Sequence, residues 1–292
     1  MRSYNPKEWY TILFHFHKGD TIRGLSKLIL IISVYSLIVA LVELHIIHVE
    51  QTSFLRNVFA LHGILGLALS LLLVFRTNTA YDRWWEGRKL WGALVNNSRN
   101  LALKMNAILP EEDEDSREFF RTTIPFYAQA LKDHLMHEST RYVLDSLPHP
   151  ELKVIMEDKH TPNQVAKLLH DKVMSLYREG ALSGEQLLYI NPEILSFTDI
   201  CGACERIKNT PIPYSYSSFI KKFIFLYIVT LPIGYVFQLG YYVVPVSAIV
   251  FYVLGSLELI AEEIEDPFGT DENDLPMEKI SANIKKHVAE II

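Results

Sequence analysis

The chain has 292 residues, of which 49% are hydrophobic, and its formal net charge is -6. This composition is too apolar for an ordinary soluble enzyme, so we predict an integral membrane protein. The negative net charge argues against a nucleic-acid-binding protein, which normally carries a basic face. The chain has two cysteines, Cys201 and Cys204, which are too few for a disulfide framework. We therefore do not expect a secreted, oxidised fold.

Uncharged stretches predict four membrane spans. The longest, 223–257, has no Asp, Glu, Lys or Arg. A single helix of that length would reach about 50 Å, beyond the roughly 30 Å hydrocarbon core, so we predict two helices joined by a turn near Gly240. The stretches 57–75 and 28–42 predict the other two spans.

The distribution of basic residues predicts the orientation. Basic residues are concentrated before the first span and after the second, whereas only Arg56 lies between them. The positive-inside rule then places both termini and the middle of the chain in the cytoplasm, with the spans in the cell (plasma or inner) membrane. The predicted division is a cytoplasmic segment at 1–27, two membrane helices at 28–78, a cytoplasmic helical domain at 79–218, two membrane helices at 219–262, and a cytoplasmic acidic segment with a C-terminal helix at 263–292.

The middle of the chain has the pattern of helices. Apolar residues between Trp91 and Met105 recur at steps of three and four, which places them on one helix face. Residues 161–164 and 183–186 have the form of capping boxes, and the Asn-Pro-Glu at 191–193 has the form of a further helix start. No alternation typical of strands stands out. We predict an all-α fold, partly in the membrane and partly a cytoplasmic helical bundle.

The sequence shows little catalytic apparatus. Cys201 and Cys204 form a lone CxxC, and a zinc site would need two further ligands at matching spacing. The 11 histidines form no HExxH motif and no Ser/His/Asp arrangement. We therefore predict that the chain is not an enzyme. His62 lies inside a predicted span, where it is either a functional polar group or a satisfied packing histidine.

The second predicted span carries a stripe of large apolar side chains. Leu67, Leu71 and Phe75 are four residues apart and therefore share one helix face. Gly63 and Gly66 supply small neighbours for close helix contact. If several copies of the chain met around an axis, the stripe would form a hydrophobic constriction. The alternative is an ordinary lipid-facing or packing face.

Two segments at the ends of the spans carry distinctive motifs. Residues 75–86 read Phe-Arg-Thr-Asn-Thr-Ala-Tyr-Asp-Arg-Trp-Trp-Glu, and residues 266–275 read Asp-Pro-Phe-Gly-Thr-Asp-Glu-Asn-Asp-Leu. The combination of Arg-Trp-Trp with a later Pro-Phe-Gly and acids resembles the bestrophin family, in particular its prokaryotic branch. The His-Lys-Gly-Asp at 17–20 and the Ile-Pro-Tyr-Ser-Tyr at 212–216 add to the likeness. The resemblance covers both membrane hairpins and is weak from 105 to 200.

The resemblance implies a homopentameric ion channel with four membrane helices per subunit, a cytoplasmic helical domain and one pore on the fivefold axis. The second span would line the pore neck with Leu67, Leu71 and Phe75. The family name implies conduction of chloride and other anions. The alternatives are a monovalent-cation channel of the same fold and a membrane scaffold without conduction. The expected partners are further copies of the chain, membrane lipid and the permeating ions.

The resemblance also implies a role for the acidic segment. In calcium-activated animal members this segment binds Ca²⁺, and the ligating positions correspond to Asp266, Asp271 and Asp274, joined by backbone carbonyls. Hard oxygen ligands gathered by a turn suit Ca²⁺, although their spacing is not that of an EF-hand. The alternative is a solvated acidic linker in which Asp266-Pro267 stops a helix.

Three carboxylates near the end of the last span are candidates for pore-entrance charges. Glu258, Glu262 and Glu265 share one helix face. If this face is turned to the pore, the carboxylates enrich cations there. The alternative is that they pair with the basic residues after the second span.

Overall fold

The computed structural model describes residues 21–47, 58–136 and 159–292, and the regular elements in these ranges are all helical. The α-helices are α1 (Thr21–Val42), α2 (Val58–Ile108), α3 (Glu114–Met136), α4 (Thr161–Arg178), α5 (Gly184–Asn209), α6 (Tyr214–Leu239), α7 (Val243–Glu265) and α8 (Met277–Ile291). A π-helical turn, Glu43–Ile47, follows α1, and a 3₁₀ turn, Gly240–Tyr242, joins α6 to α7. The prediction of an all-α fold is confirmed. Most of the predicted N-terminal segment, including the motif at 17–20, lies outside the described residues.

Three described segments are long and apolar enough to cross a membrane, namely Thr21–Ile46, Leu61–Ile108 and Tyr214–Glu265. The last of these contains both α6 and α7. The two helices lie antiparallel, as the contacts at their ends show. At one end the backbone N–H of Ile212 donates to Glu265, and at the other Val236 lies in the same apolar cluster as Val243. Gly240 permits the reversal with a φ of 54°, a conformation that favours glycine. The predicted turn near Gly240 is therefore present.

The apolar helices pack into one bundle. α1 lies mainly against α7, and α2 and α6 complete the group. Leu69, Ile224 and Phe251 are buried in its centre. Gly66 allows α2 to approach α6 closely, since a Cβ at this position would lie 2.9 Å from the hydroxyl oxygen of Tyr227.

α2 extends through both halves of the molecule. It is a single helix of 51 residues, about 75 Å long at 1.5 Å per residue. From Leu69 to Met105 its buried positions recur at steps of three, four or seven, apart from the adjacent pair Leu101 and Ala102. One packed face of α2 therefore contributes to both the apolar bundle and the second helical bundle. The predicted boundary at 78/79 therefore falls inside a continuous helix. The predicted boundary at 262/263 likewise falls inside α7.

The second half of α2 packs with α3, α4, α5 and α8 into a helical bundle with its own core. Trp91, Phe119 and Phe197 are fully buried there. The hydroxyl of Tyr127 donates to the carbonyl oxygen of Phe197 at 2.6 Å, which satisfies a polar group inside the core. This bundle is the helical domain that the sequence predicts for the middle of the chain, with α8 added to it.

One of the predicted capping boxes is present as expected. The backbone N–H of Gln186 donates to Oγ of Ser183 at 3.2 Å, and the N–H of Ser183 donates to Oε1 of Gln186 at 2.8 Å. Two free backbone donors at the start of α5 are thereby satisfied.

Two other predicted helix starts differ from the structure. α4 does begin at Thr161, but its N-cap is His160, whose Nδ1 accepts the N–H of Asn163 at 3.2 Å. The start predicted at 191–193 is wrong, because Pro192 lies inside α5. Ile190 and Ile194 on either side are buried, and we attribute the continuity of the helix through the proline to this packing.

Candidate pore face and acidic segment

The predicted neck residues lie on a face of α2 that no described helix covers. Leu67, Leu71 and Phe75 are 66%, 53% and 63% exposed in the single chain. Leu69 and Leu73, on the opposite face, are buried in the apolar bundle. Large apolar side chains left open along one face indicate contact with lipid or with another copy of the chain.

The open face of α2 continues beyond its apolar stripe. At helical spacing Phe75 is followed by Asn78, Asp82 and Lys89, and all three are exposed. The same face therefore changes from apolar to polar and charged where α2 leaves the apolar bundle.

The three predicted entrance carboxylates are paired with basic side chains. Glu258 lies 3.6 Å from Nε of Arg76, and Glu265 lies 2.7 Å from Nη2 of the same residue. Glu262 is exposed and lies 2.9 Å from Nζ of Lys221. Arg76 and Glu258 are both buried, where an unpaired charge is costly, and their opposite charges compensate each other. The pairing with a basic residue at the end of the second span is thus the arrangement observed for Glu258 and Glu265.

Arg83, the arginine of the Arg-Trp-Trp motif, fixes α2 to two other helices. Its Nε donates to the carbonyl oxygen of Glu265 at 3.0 Å, Nη1 to that of Thr210 at 2.5 Å, and Nη2 to that of Ile207 at 2.6 Å. These carbonyls lie at the C-terminal ends of α5 and α7, where carbonyl groups lack partners within their own helix. Sequence reasoning offered the pairing of the glutamates with basic residues such as Arg76 as an alternative, but it missed the contacts of Arg83.

The acidic segment is docked onto α2. Nε1 of Trp84 donates to the carbonyl oxygen of Asn273 at 2.9 Å. Gly87 leaves room for the contact, because a Cβ there would lie 3.2 Å from both Pro267 and Phe268. Phe268 is fully buried in the core of the second helical bundle. The motif at 75–86 and the motif at 266–275 therefore contact each other directly.

The three predicted calcium ligands differ in their surroundings. Asp274 is buried, whereas Asp266 and Asp271 are exposed. The N–H of Asp271 donates to Oδ2 of Asp274 at 2.5 Å, and the N–H of Phe268 donates to Oδ1 of Asp266 at 3.3 Å. In the described part of the chain, Oδ1 of Asp274 is buried and has no hydrogen-bond partner. Burial above all, and then the negative charges of Asp271 and Asp266, raises the pKa of Asp274 to about 6.

These surroundings fit a cation. A cavity of about 140 Å³ adjoins Asp271 and Asp274. A cation placed there would pair with the open oxygen of Asp274 and relieve the repulsion among the acids, and carboxylate oxygens suit Ca²⁺. Among the described residues the three carboxylates do not gather within 4.8 Å of one another. Ligation would therefore also use backbone carbonyls or water.

His62 and the two cysteines occupy packed positions. His62 is buried, and its Nε2 lies 3.0 Å from the carbonyl oxygen of Tyr227 and 3.2 Å from Oγ1 of Thr230. Cys201 and Cys204 are buried free thiols. Burial raises the pKa of Cys201 to about 12 and that of Cys204 further, so both remain protonated at neutral pH.

Comparison with known proteins agrees with this architecture. Residues 1–290 match the family described as "Bacterial/Fungal Bestrophin protein". The chain belongs to the bestrophin family. A voltage-dependent anion channel-forming protein of Nostoc sp. is 34% identical over 98% of this chain and 92% of its own length. The voltage-dependent anion channel-forming protein YneE of Escherichia coli K12 is 30% identical over 94% of this chain and 88% of its own length.

Solved structures extend the likeness to the fold of this bestrophin. A crystal structure of a bacterial bestrophin homologue from Klebsiella pneumoniae matches with a TM-score of 0.83 at 25% identity, covering 92% of this chain and 98% of the other. Another crystal structure of that homologue matches with a TM-score of 0.82 at 26% identity, covering 92% and 99%. With its apolar helices, this bestrophin is a membrane protein.

Proposed function

We propose that this bestrophin is an ion channel rather than an enzyme, and that it conducts anions, including chloride, passively through a central pore. Two observations support the proposal. The chain belongs to the bestrophin family, and relatives matched over almost their whole length are named anion channel-forming proteins. We propose the homopentamer implied by the family as the conducting assembly, with further copies of the chain as its protein partners and membrane lipid around it.

The open face of α2 is the observation that carries the pore assignment. Leu67, Leu71 and Phe75 are exposed in the single chain, whereas the opposite face of the same helix is packed. Five copies arranged around an axis would bring these faces together as three stacked apolar rings. Such a constriction controls ion passage by excluding water, and it is opened by smaller side chains.

Charge compensation weakens the case for cation selectivity at the end of α7. Glu258 and Glu265 are held by Arg76, and Glu262 lies beside Lys221. Two basic side chains facing three carboxylates leave one negative charge uncompensated, so these carboxylates enrich cations less than a free ring of acids would. We therefore propose that these glutamates act mainly as structural partners.

A cation channel of the same fold is the second candidate, and one observation favours it. Asp82 lies on the open face seven residues beyond Phe75 and is exposed. In the proposed pentamer it would form a ring of carboxylates below the neck, which attracts cations. If Asp82 sets selectivity, Asp82→Asn shifts the reversal potential towards the anion value.

We also propose that Asp266, Asp271 and Asp274 hold Ca²⁺ together with backbone carbonyls. Two features support this site: Oδ1 of Asp274 is buried without a hydrogen-bond partner among the described residues, and the negative charges of Asp271 and Asp266 lie nearby. The ion would supply positive charge that cross-links the acidic segment. The acidic segment contacts α2 at Trp84 and Gly87. Binding of the ion would therefore affect the helix that carries the neck residues through these contacts.

The predicted orientation completes the proposal. The helical bundle and both termini lie in the cytoplasm. The four apolar segments, α1, α6, α7 and the first half of α2, span the cell (plasma or inner) membrane. The basic residues that follow the second span, from Arg76 to Lys104, support this orientation.

The deciding experiment is a reversal-potential measurement on purified protein in planar bilayers across a potassium chloride gradient. We expect a reversal potential close to that of chloride and a larger conductance for Leu71→Ala. A reversal potential at the potassium value would establish the cation channel instead. If wild type and Leu71→Ala both show only background conductance, and the protein forms a stable complex with a different protein, the scaffold is established and the channel is overturned.

A further inference from the structure

The second helical bundle contains a cluster of two imidazoles and one carboxylate that the proposed pore does not use. His134 lies near the end of α3, His160 is the N-cap of α4, and Glu205 lies on α5. Nε2 of each histidine is 2.6 Å from the same oxygen, Oε1 of Glu205. The two imidazole rings are 4.4 Å apart between centroids. Three separate helices thus converge on one point.

We propose that His134, His160 and Glu205 bind one divalent first-row transition-metal ion of the Zn²⁺ type. Two imidazole nitrogens with one carboxylate oxygen are a common donor set for Zn²⁺, whereas Ca²⁺ and Mg²⁺ take oxygen ligands almost exclusively. Each of the three side chains is about 30% exposed, at 30%, 31% and 29% respectively. Solvent can therefore deliver the ion and provide a water molecule as the fourth ligand.

The ligand atoms are close to the spacing that such an ion requires. Bonds of about 2.0–2.1 Å in a tetrahedral site place neighbouring ligand atoms roughly 3.3 Å apart. In the structure both nitrogens lie 2.6 Å from the carboxylate oxygen, and all three atoms lie within 4.8 Å of one another. Among the described residues, no other group of three or more His, Cys, Asp or Glu side chains has its ligand atoms this close together. Side-chain adjustments of about 1 Å or less bring the atoms to a coordinating arrangement.

The electrostatic setting also suits a cation. The carboxylate of Glu205 supplies negative charge at the point where the three side chains meet, with its Oε1 2.6 Å from Nε2 of each histidine. At His160, ligation through Nε2 places the ring proton on Nδ1, which ends the 3.2 Å contact with the N–H of Asn163. Ligation also replaces the two 2.6 Å contacts between Nε2 of the histidines and Oε1 of Glu205, so the bonds to the metal must outweigh all three interactions.

The bound ion would act as a structural cross-link. Leu131 on α3, Val165 on α4 and Ile200 on α5 are buried in the shared core close in sequence to the three ligands. The apolar core therefore already holds the ligands near one another before the ion binds. The ion would tie the ends of three helices together without taking part in the pore, so this inference does not depend on the proposed conduction.

The test is binding of Zn²⁺ to metal-free, full-length protein in detergent, followed by calorimetry and thermal unfolding. Excess Ca²⁺ is present throughout to occupy the acidic segment. We expect one saturable Zn²⁺ site per subunit and a higher melting temperature with the ion bound. Glu205→Gln and His134→Gln should weaken binding at least tenfold. His170→Gln is the matched control, because His170 is a partly exposed histidine on α4 outside the cluster.

Cobalt supplies a readout that needs only the wild-type protein. Co²⁺ in a four-coordinate nitrogen and oxygen site gives visible absorption bands, which excess Zn²⁺ should remove. The proposal is overturned if the wild-type protein shows neither saturable Zn²⁺ binding nor these bands, because the cluster is then a set of hydrogen bonds only. It is also overturned if Glu205→Gln and His134→Gln bind Zn²⁺ as tightly as His170→Gln does.

Discussion

Replacing Asp274 by Asn should stabilise the protein in the absence of Ca²⁺ and remove its response to Ca²⁺. Asn has the shape of Asp, and its side-chain oxygen can still accept the N–H of Asp271. The substitution removes a negative charge that is buried next to Asp271 and Asp266. The amide nitrogen of Asn would take the place of an oxygen that has no partner among the described residues, so the expected gain comes from removing the charge alone. Calcium binding would lose its most buried ligand at the same time.

The size of the effect follows from the pKa of Asp274. Its folded-state pKa of about 6 exceeds the ordinary value of 3.8 by about 2 units, and at 1.36 kcal/mol per unit this corresponds to about 3 kcal/mol. The raised pKa means that the fold prefers the neutral carboxyl. The contribution of Asp274 to stability is therefore greatest below pH 4, falls as the pH rises from about 4 to about 6, and stays reduced above that. The Asn variant should lack this decline.

Thermal unfolding in detergent with a calcium chelator, measured from pH 4.5 to pH 8, tests this expectation. At about 2–4 °C per kcal/mol for a large domain, the variant should melt several degrees above wild type at pH 7.5, and this difference should shrink to about a third at pH 4.5. Added Ca²⁺ should raise the melting temperature of wild type only. Asp271→Asn, at an exposed position, is the control and should change the calcium-free melting temperature much less. A variant that melts below wild type at pH 7.5, or by a pH-independent difference, refutes the reasoning.

Three further predictions concern α2 and its contacts. Leu71→Ala should raise ion flux with little loss of stability, because Leu71 is exposed. Leu73→Ala, on the buried face, should lower the free energy of unfolding by about 2–5 kcal/mol. An equal loss of stability in both variants would contradict the assignment of the faces. Arg83→Lys should lower the melting temperature, because one ammonium group cannot reach three carbonyls as the guanidinium does; unchanged melting would contradict this. Gly87→Ala should loosen the acidic segment, because its Cβ would meet Phe268 at 3.2 Å, and proteolysis of that segment should become faster; unchanged cleavage would show that the contact is unimportant.

Local sequence patterns predicted the helices well where the cause was local. The uncharged run at 223–257 was too long for one span, and the structure divides it at Gly240, a residue that adopts a positive φ without strain. The capping box at Ser183 depends on residues three positions apart and is present. The helix start predicted at Pro192 was wrong, because the buried side chains around it belong to one continuous helix face.

The sequence by itself determined that the protein is an all-α membrane protein with an apolar stripe on α2 and an acidic segment after α7, because hydropathy, helical periodicity and charge are properties of neighbouring residues. Only the tertiary structure decided which of these residues meet. Arg76 pairs with Glu258 and Glu265 across more than 180 positions, and His134 meets Glu205 across 71. Such contacts depend on how helices distant in the chain pack together, which no local pattern contains. The stripe was therefore visible from spacing, whereas the ion pairs of Arg76 and the cluster of His134, His160 and Glu205 required the fold.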